Sequence, residues 1–458
     1  MRTAMALLAA CLGAFAAPPA PAAYDVVPIP EALRTKLKLA PFYQKFVDVD
    51  GFPIVSSART TDHALKEAAW IVRKMIGERA DVRAAMIRAN VRLVVMARNE
   101  YTTDLPEQAR MRPKVYWDRR ARGLGATMQN PVASCAEENL LCLKGDPYST
   151  ENILIHEFAH AIHLTGMNSV DPTFDRRLKA AYDDARKRGL WKGTYAAVNH
   201  GEYWAEAVQS WFDDNRENDS LHNHVNTRVE LEAYDPAVAK LCAEAFGKGD
   251  WRYRKPHLRD PAGRGHLEGF DPKKAPSFAW RTTPIPKLAL VRFETQRGTI
   301  EVELDAEKAP VTVRNFLRYV EEGLFADGMF FRTVTAANQP TDKVRIAVIQ
   351  AQADPKKQLK YPPAIPLERT RDTGLKHGDG AISMARDGPD TGREHFFICV
   401  GEQPELDFGG KRNPDGQGFA AFGRVTRGMD VVKAIHAAPA NEQSLEPPIR
   451  IQRAIRLN

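Results

Sequence analysis

The chain has 458 residues, of which 43% are hydrophobic and 27% charged, values typical of a folded globular protein. At roughly 150 residues per domain, this length predicts two or three domains, each with its own core. The 65 basic and 58 acidic residues leave a net charge of only +7, without a long block of like charge. Composition therefore excludes a disordered chain, and the charge gives no indication of nucleic-acid binding.

The first 22 residues have the pattern of a signal peptide. In MRTAMALLAACLGAFAAPPAPA, one arginine precedes a short apolar run, and small residues then offer a cleavage site. The run is shorter than the roughly 20 residues that a membrane-spanning helix needs, and no later stretch predicts a transmembrane segment. We expect export to the periplasm or the medium, with a mature protein from residue 23. The string LAAC leaves open a lipid anchor on Cys11.

The chain has only five cysteines, too few for a fold built on disulfides. Cys135 and Cys142 lie close together in SCAEENLLC. Because export implies an oxidising compartment, we predict a disulfide between them. Two free thiols or a stray metal ligand are the alternatives.

Residues 23–284 predict a mainly helical α+β domain. Apolar residues recur at helical spacing in four segments, at 62–90, 151–164, 172–189 and 200–215, whereas 92–98 reads as a buried strand. Residues 100–150 are rich in turn residues and irregular. Residues 249–287 are dense in Pro, Gly and basic residues without a period, which indicates a tail and linker.

Residues 285–458 predict a second domain. Short strands separated by turn residues are predicted at 288–295, 298–305, 345–352, 380–386, 395–400 and 419–425. Two helices interrupt them, at 311–323 and 428–438. This pattern favours a closed antiparallel β-barrel with two helices.

The motif HEFAH predicts a zinc site. His156 and His160 are one helical turn apart on an apolar helix, with Glu157 beside them, and this spacing suits two imidazole ligands. The segment GEYWAEAVQSWF offers Glu202 and Glu206, one turn apart on a second helix. We assign Glu202 to zinc and Glu206 to the outer N–H of a zinc-binding histidine. The reverse assignment of the two glutamates stays open.

These motifs resemble the gluzincin metallopeptidases, including thermolysin-like and lethal-factor-like enzymes, whose pattern is HExxH followed by a helix with ExxxD or ExxxE. Tyr195, seven residues before Glu202, matches a tyrosine of the lethal-factor-like group. The resemblance covers about residues 90–215. It implies a zincin-like fold and zinc-dependent peptide hydrolysis, with Glu157 as the general base and Tyr195 as a hydrogen-bond donor to the oxyanion.

Residues 288–457 resemble the cyclophilin family of peptidyl-prolyl isomerases over nearly their whole length. The resemblance rests on an ordered series of motifs: TQRGTIEVELDAEKAPVTVRNFLRYVEEGLF, FFRTV, AVIQAQAD, GAISMARDGPDTGREHFFICV and FAAFGRVTRGMDVVKAI. It implies a cyclophilin-like barrel that isomerises X-Pro bonds of polypeptides and needs no cofactor.

The family's catalytic arginine falls on Arg332, whose guanidinium would weaken the amide resonance of the X-Pro bond. The resemblance implies substrate-binding roles for six further residues: Gln350, Val348, His395, Phe397, Leu406 and Phe419. His395 stands where the family has a glutamine, and Ala347 where it has a pocket phenylalanine. The loss of that aromatic ring predicts a weaker grip on proline.

Together these patterns predict an exported peptidyl-prolyl isomerase fused to a zinc peptidase domain. Polypeptides with X-Pro bonds are the expected partners, whereas nucleic acid is not, and the oligomeric state does not follow from the sequence. The alternative is a periplasmic chaperone without enzymatic activity, which binds proline-containing peptides and uses zinc for structure alone.

Overall fold

The computed structural model describes residues 24–219 and 221–458, which form two β-sheets with separate hydrophobic cores. The predicted signal peptide, including Cys11, lies outside the described residues. Among the helices of the described ranges, none has the length and apolar character needed to cross a membrane.

The first sheet has five strands in chain order, antiparallel from β1 to β3 and parallel from β3 to β5. They are β1 Val27–Pro28, β2 Lys45–Val49, β3 Phe52–Ser56, β4 Arg92–Met96 and β5 Val132–Ala136. Only β4 was predicted. Like β4, both β3 and β5 are fully buried, so none of the three alternates. β4 was recognisable from its apolar run Leu93–Met96, whereas Pro53 and Ser56 interrupt β3 and Ser134 interrupts β5.

Eleven helices accompany this sheet in the described ranges before residue 285. They are α1 Glu31–Leu37, α2 Asp62–Ile76, α3 Ala80–Arg88, α4 Lys114–Arg120, α5 Glu137–Leu140, α6 Ile153–Ala161, α7 Asn168–Val170, α8 Phe174–Lys187, α9 His200–Trp211, α10 Arg228–Tyr234 and α11 Pro236–Phe246. A π-helical turn, Ile162–Met167, joins α6 to α7. The helices predicted at 62–90, 151–164, 172–189 and 200–215 are confirmed. The main core lies between the sheet and the helices α2, α6 and α9.

The predicted disulfide is wrong, because Cys135 and Cys142 are both free thiols. Cys135 lies on β5 with its side chain fully buried in the main core. Helix α5 separates it from Cys142, whose thiol turns towards the carbonyl of Asn139 at 3.9 Å. The intervening helical turn therefore sends the two thiols in different directions.

The segment predicted as a tail and linker packs against the first sheet's helices over much of its length. Glu67 on α2 is fully buried and forms ion pairs with Arg259 at 2.6 Å and with His266 at 2.7 Å. Tyr253 and Leu267 enter the main core. Since a buried carboxylate needs its partners in place, these contacts dock this part of the segment on α2.

The second sheet closes into an eight-stranded antiparallel barrel. Its strands follow the order β14-β6-β7-β12-β10-β11-β9-β8, β8 pairs back to β14, and β13 forms a hairpin with β14. The strands are β6 Leu288–Thr295, β7 Gly298–Asp305, β8 Met329–Val334, β9 Val348–Gln352, β10 Ala381–Met384, β11 Phe396–Cys399, β12 Ala420–Arg427, β13 Ala440–Asn441 and β14 Ser444–Arg456. The helices are α12 Pro310–Glu321, the four-residue α13 Thr370–Thr373, and α14 Met429–His436. The predicted closed barrel with two main helices is confirmed.

Helix α4 of the first half of the chain packs against the barrel. Arg119 on α4 lies 3.4 Å from Glu321 of α12, and Glu321 also pairs with Arg456 of β14 at 2.6 Å. The guanidinium of Arg453 lies over the ring of Tyr116 at 5.8 Å. The barrel therefore packs on the helix that leads directly into residues 120–125.

Candidate functional site

Two helices bring the three predicted metal ligands together. His156 and His160 lie on α6, which is capped by Asn152, and Glu202 lies in the first turn of α9, which is capped by Asn199. The Nε2 atom of His156 lies 3.1 Å from Glu202 Oε2 and 3.3 Å from His160 Nε2. His160 Nε2 lies 3.4 Å from the same carboxylate oxygen. Three donor atoms thus face one point.

These distances fit a tetrahedral zinc ion. Ligands at zinc–nitrogen and zinc–oxygen distances of about 2.0–2.1 Å lie about 3.3–3.4 Å from one another in a tetrahedron. The three observed separations, from 3.1 to 3.4 Å, agree with that edge length. Among the described residues, this is the one group of three or more His, Cys, Asp or Glu side chains arranged to hold a metal ion.

The outer hydrogen bond of His156 goes to Gln209, so the predicted assignment of Glu206 to this role is wrong. His156 Nδ1 lies 2.8 Å from Gln209 Oε1, whereas Glu206 Oε1 is 3.6 Å away. Because Gln209 accepts the Nδ1–H, the Nε2 atom keeps its lone pair for a metal. Glu206 instead lies 3.2 Å from Nε2 of His222. The only sequence signal for Gln209 was its position seven residues after Glu202, on the same helix face.

The cluster attracts positive charge. Burial alone would lower the pKa of His156, but the hydrogen bond with Glu202 and the charges of the neighbouring glutamates raise it to about 10. Burial alone would raise the pKa of Glu202, but hydrogen bonds from the two histidines hold it well below its usual range. The negative charges that stabilise a proton on these residues would also stabilise a divalent cation in its place.

Glu157 and Tyr195 line the cavities that adjoin the triad. The Glu157 carboxylate makes no hydrogen bond to another residue of the described ranges, and burial raises its pKa. The Tyr195 hydroxyl accepts a hydrogen bond from Arg120 Nη2 at 3.4 Å, and burial raises the pKa of Tyr195 to about 12. The tyrosine is therefore a proton-bearing donor at neutral pH, and the glutamate is available to a water molecule.

Two glycines allow the segment before β5 to approach helix α6. Leu124 pairs with Ser134 of β5, so that this segment runs along the edge of the sheet. A Cβ atom on Gly125 would lie 2.6 Å from His160 Cβ, and one on Gly123 would lie 2.9 Å from Glu157 Cγ. Larger residues at either position would displace the side chains that carry the chemistry.

We expect Gly125→Ala to weaken zinc binding by about 10–100-fold, the range seen when a ligand's support is lost. The added methyl group would push His160 away from the other two donor atoms. Competition with a metallochromic chelator measures the change. Gly249→Ala is the control, because nothing lies within 4 Å of a Cβ at that position. Equal zinc affinity in the two variants would contradict this account.

A second site lies on the outer face of the barrel, where a β-bulge orients Arg332. The register between β8 and β9 shifts between Phe330 and Arg332, so that Arg332 lies opposite Gln350. Arg332 Nη1 donates to Gln350 Oε1 at 2.9 Å, and Nε donates to Gln443 Oε1 at 2.9 Å. In the described ranges the guanidinium has no carboxylate partner, so its remaining N–H groups are available to a ligand.

An apolar cluster lies beside this arginine. Phe397 on β11 pairs with Gln350 of β9, which places the arginine, the glutamine and the phenylalanine on three successive strands. Its buried members include the predicted residues Val348, Phe397 and Leu406, together with Ile346. The ring of Phe419 meets that of Phe397 edge-on at 5.4 Å. The predicted apolar floor is therefore assembled in one place.

His395 is half-buried at the end of this face, with its ring 5.4 Å from that of Phe331. Burial lowers its pKa, so the imidazole is a neutral group there. The half-buried Ala347 donates its N–H to Gln403 at 3.1 Å. Each of these two residues directly precedes a strand that forms the predicted site: Ala347 precedes β9, and His395 precedes β11.

Two residues that support this site were not predicted from the sequence. Gln443, in the turn between β13 and β14, holds Arg332 from the side opposite Gln350. The buried His377 lies against Phe397 with ring centroids 5.9 Å apart, and is fixed by Asp407 at 2.8 Å and Ser383 at 2.9 Å. Neither has a periodic or local signal, because both reach the site through turns distant in sequence.

Comparisons with known proteins concern the barrel. Residues 290–456 match the model of the family described as cyclophilin type peptidyl-prolyl cis-trans isomerase/CLD. Peptidyl-prolyl cis-trans isomerase cyp18 of Streptomyces antibioticus is 33% identical over 149 residues, covering 32% of this chain and 83% of that protein. Peptidyl-prolyl cis-trans isomerase A of Dickeya dadantii is 33% identical over 165 residues, covering 35% of this chain and 75% of that protein.

Among solved structures, a cyclophilin type peptidyl-prolyl cis-trans isomerase of Cryptosporidium parvum is 20% identical, covering 37% of this chain and 98% of that one, with a TM-score of 0.30. The relatives from Streptomyces antibioticus and Dickeya dadantii are each matched over at least three quarters of their length. Through residues 290–456, the chain belongs to the family of cyclophilin-type peptidyl-prolyl cis-trans isomerases.

Proposed function

We propose that the protein is exported and combines its cyclophilin-type isomerase with a zinc-dependent peptidase. The observation that carries the peptidase is the convergence of His156, His160 and Glu202 within 4.8 Å of one another, beside a glutamate without a hydrogen-bond partner in the described ranges. Export is supported by the charge and hydrophobicity pattern of residues 1–22.

In this proposal His156, His160 and Glu202 would hold the zinc ion. A bound zinc ion acts as a Lewis acid towards a peptide carbonyl and lowers the pKa of a coordinated water to about 7. The Glu157 carboxylate accepts a proton from the attacking water and passes it to the leaving amine. The Tyr195 hydroxyl, protonated at neutral pH, donates a hydrogen bond to the carbonyl oxygen as negative charge develops there.

The isomerase acts on X-Pro bonds in flexible or unfolded chains. Phe397 and its apolar neighbours bind the proline ring, and Gln350 binds the peptide backbone. The free N–H groups of Arg332 hydrogen-bond to the proline nitrogen as it loses conjugation with the carbonyl, which lowers the barrier of about 18–20 kcal/mol.

The Glu157→Gln variant tests the peptidase. It should bind zinc like the wild-type protein but hydrolyse an unfolded protein substrate at least about 100-fold more slowly, because the amide cannot accept the proton. Proteolysis of a denatured, labelled substrate and metal analysis are measured together, with the isomerase rate as the control for folding. The wild-type protein could instead suppress the aggregation of unfolded chains. If neither the Glu157→Gln substitution nor a chelator changes that suppression, the chaperone without enzymatic activity is favoured.

A further inference from the structure

The cavity beside the metal triad has walls from both halves of the molecule. Its volume is about 480 Å³, and His156, Glu157 and Tyr195 lie on one side. Lys360 and Lys357 of the barrel lie on another. A peptide that reaches Glu157 through this cavity would therefore touch the barrel as well.

Two of the arginines that line this cavity are paired with carboxylates. Arg122 pairs with Glu138 at 2.5 Å, and Arg216 pairs with Asp219 at 2.5 Å. Within the described ranges, no carboxylate lies within ion-pair distance of the exposed Lys360.

A second cavity cation likewise lacks an acidic partner. The guanidinium of Arg120 has no carboxylate within ion-pair distance among the described residues, and its hydrogen bond goes to the Tyr195 hydroxyl instead. The cavity thus presents two cations without an ion-pair partner in the described ranges, one from each half of the molecule. The carboxylates of Glu157 and Glu322 also line it.

The turn that carries Lys360 is held in place. Residues Pro355–Lys360 form a 3₁₀ helix capped by Asp354, whose carboxylate accepts the N–H of Lys356 at 3.1 Å. The ammonium of Lys357 donates to the carbonyl oxygen of Ala326 at 2.7 Å. Because these contacts fix the backbone, the position of Lys360 at the mouth of the cavity is set by the fold of the barrel.

We propose that Lys360 and Arg120 together recognise an aspartate or glutamate side chain of a peptide bound in this cavity. The barrel would then determine the specificity of the zinc site by charge complementarity. As a statement about cleavage this inference rests on the proposed peptidase, but as a statement about binding it does not.

The test is peptide binding to the full-length Glu157→Gln protein supplied with zinc, measured by fluorescence anisotropy. Two labelled peptides with blocked ends differ only in carrying glutamates or glutamines at the same positions, so that side chains are the only carboxylates. We expect the glutamate peptide to bind more tightly, and Lys360→Glu to weaken its binding about fivefold without affecting the glutamine peptide. The preference should decrease as salt is added.

Lys356→Glu is the matched control, because Lys356 is an exposed lysine of the same turn that does not line the cavity. Equal binding of the two peptides would overturn the inference, as would the same loss in the Lys356 and Lys360 variants. If the preference is found but the wild-type protein cleaves neither peptide, the acidic-peptide site stands and the proposed peptidase fails.

Discussion

Replacing Arg332 with alanine is expected to lower the kcat/KM of X-Pro isomerisation by about 100-fold or more, the usual effect of removing a donor that stabilises a transition state. The guanidinium is held on two sides, by Gln350 and by Gln443, so that it is oriented before substrate binds. Arg332→Lys should recover little of the rate. An ammonium group cannot donate to both glutamines and still reach the proline nitrogen.

The isomerisation of a proline-containing test peptide measures this effect, and the melting temperature reports on folding. Arg424→Ala is the matched control, because Arg424 is an arginine of the same barrel whose side chain is 72% exposed. The loss of partly exposed hydrogen bonds in Arg332→Ala should cost only about 1 kcal/mol of stability. An unchanged rate in Arg332→Ala would exclude this arginine from the reaction.

Much of the barrel was predictable because its strands alternate. In β6 and β7 every second residue is buried, as the strand period requires, and both strands have the predicted bounds. The bulge at Phe331 was not predictable from this pattern, because it depends on which strand pairs with β8. Yet the bulge decides where Arg332 points, so the orientation of the site came only with the structure.

The convergence of His156, His160 and Glu202 was predictable for a different reason. The spacing of His156 and His160 fixes them on one helix face, and a helix period then selects Glu202 or Glu206 on the second helix. The spacing could not decide which residue accepts the Nδ1–H of His156. His156 Nδ1 contacts Gln209 and not Glu206 because of the way α6 and α9 pack together. That packing cannot be read from the sequence of either helix alone.

The free thiols show where an argument from sequence distance fails. Cys135 and Cys142 are separated by six residues, and a loop of that length would let them meet. Instead those residues include a helical turn, and Cys135 belongs to a buried strand. A separation in sequence limits how far apart two side chains can be, but it does not say whether they face each other.

Replacing His160 with alanine is expected to abolish stable zinc binding. The loss should exceed the roughly 10–100-fold that removing an outer hydrogen bond costs, because a ligand itself is removed. The wild-type protein should retain about one zinc ion per chain after dialysis, and His160→Ala should retain almost none, as measured by metal analysis. Since the ligands come from two helices, chelation should also lower the melting temperature of the wild-type protein.

His224→Ala is the control for nonspecific loss, because this exposed histidine belongs to the same half of the chain but not to the triad. Isomerase activity should be equal in all three proteins, since the barrel has its own core. Retention of zinc by His160→Ala would mean that the convergence of these three side chains serves another purpose, such as a shared proton between the histidines and Glu202. The proposed peptidase would then lose the observation on which it rests.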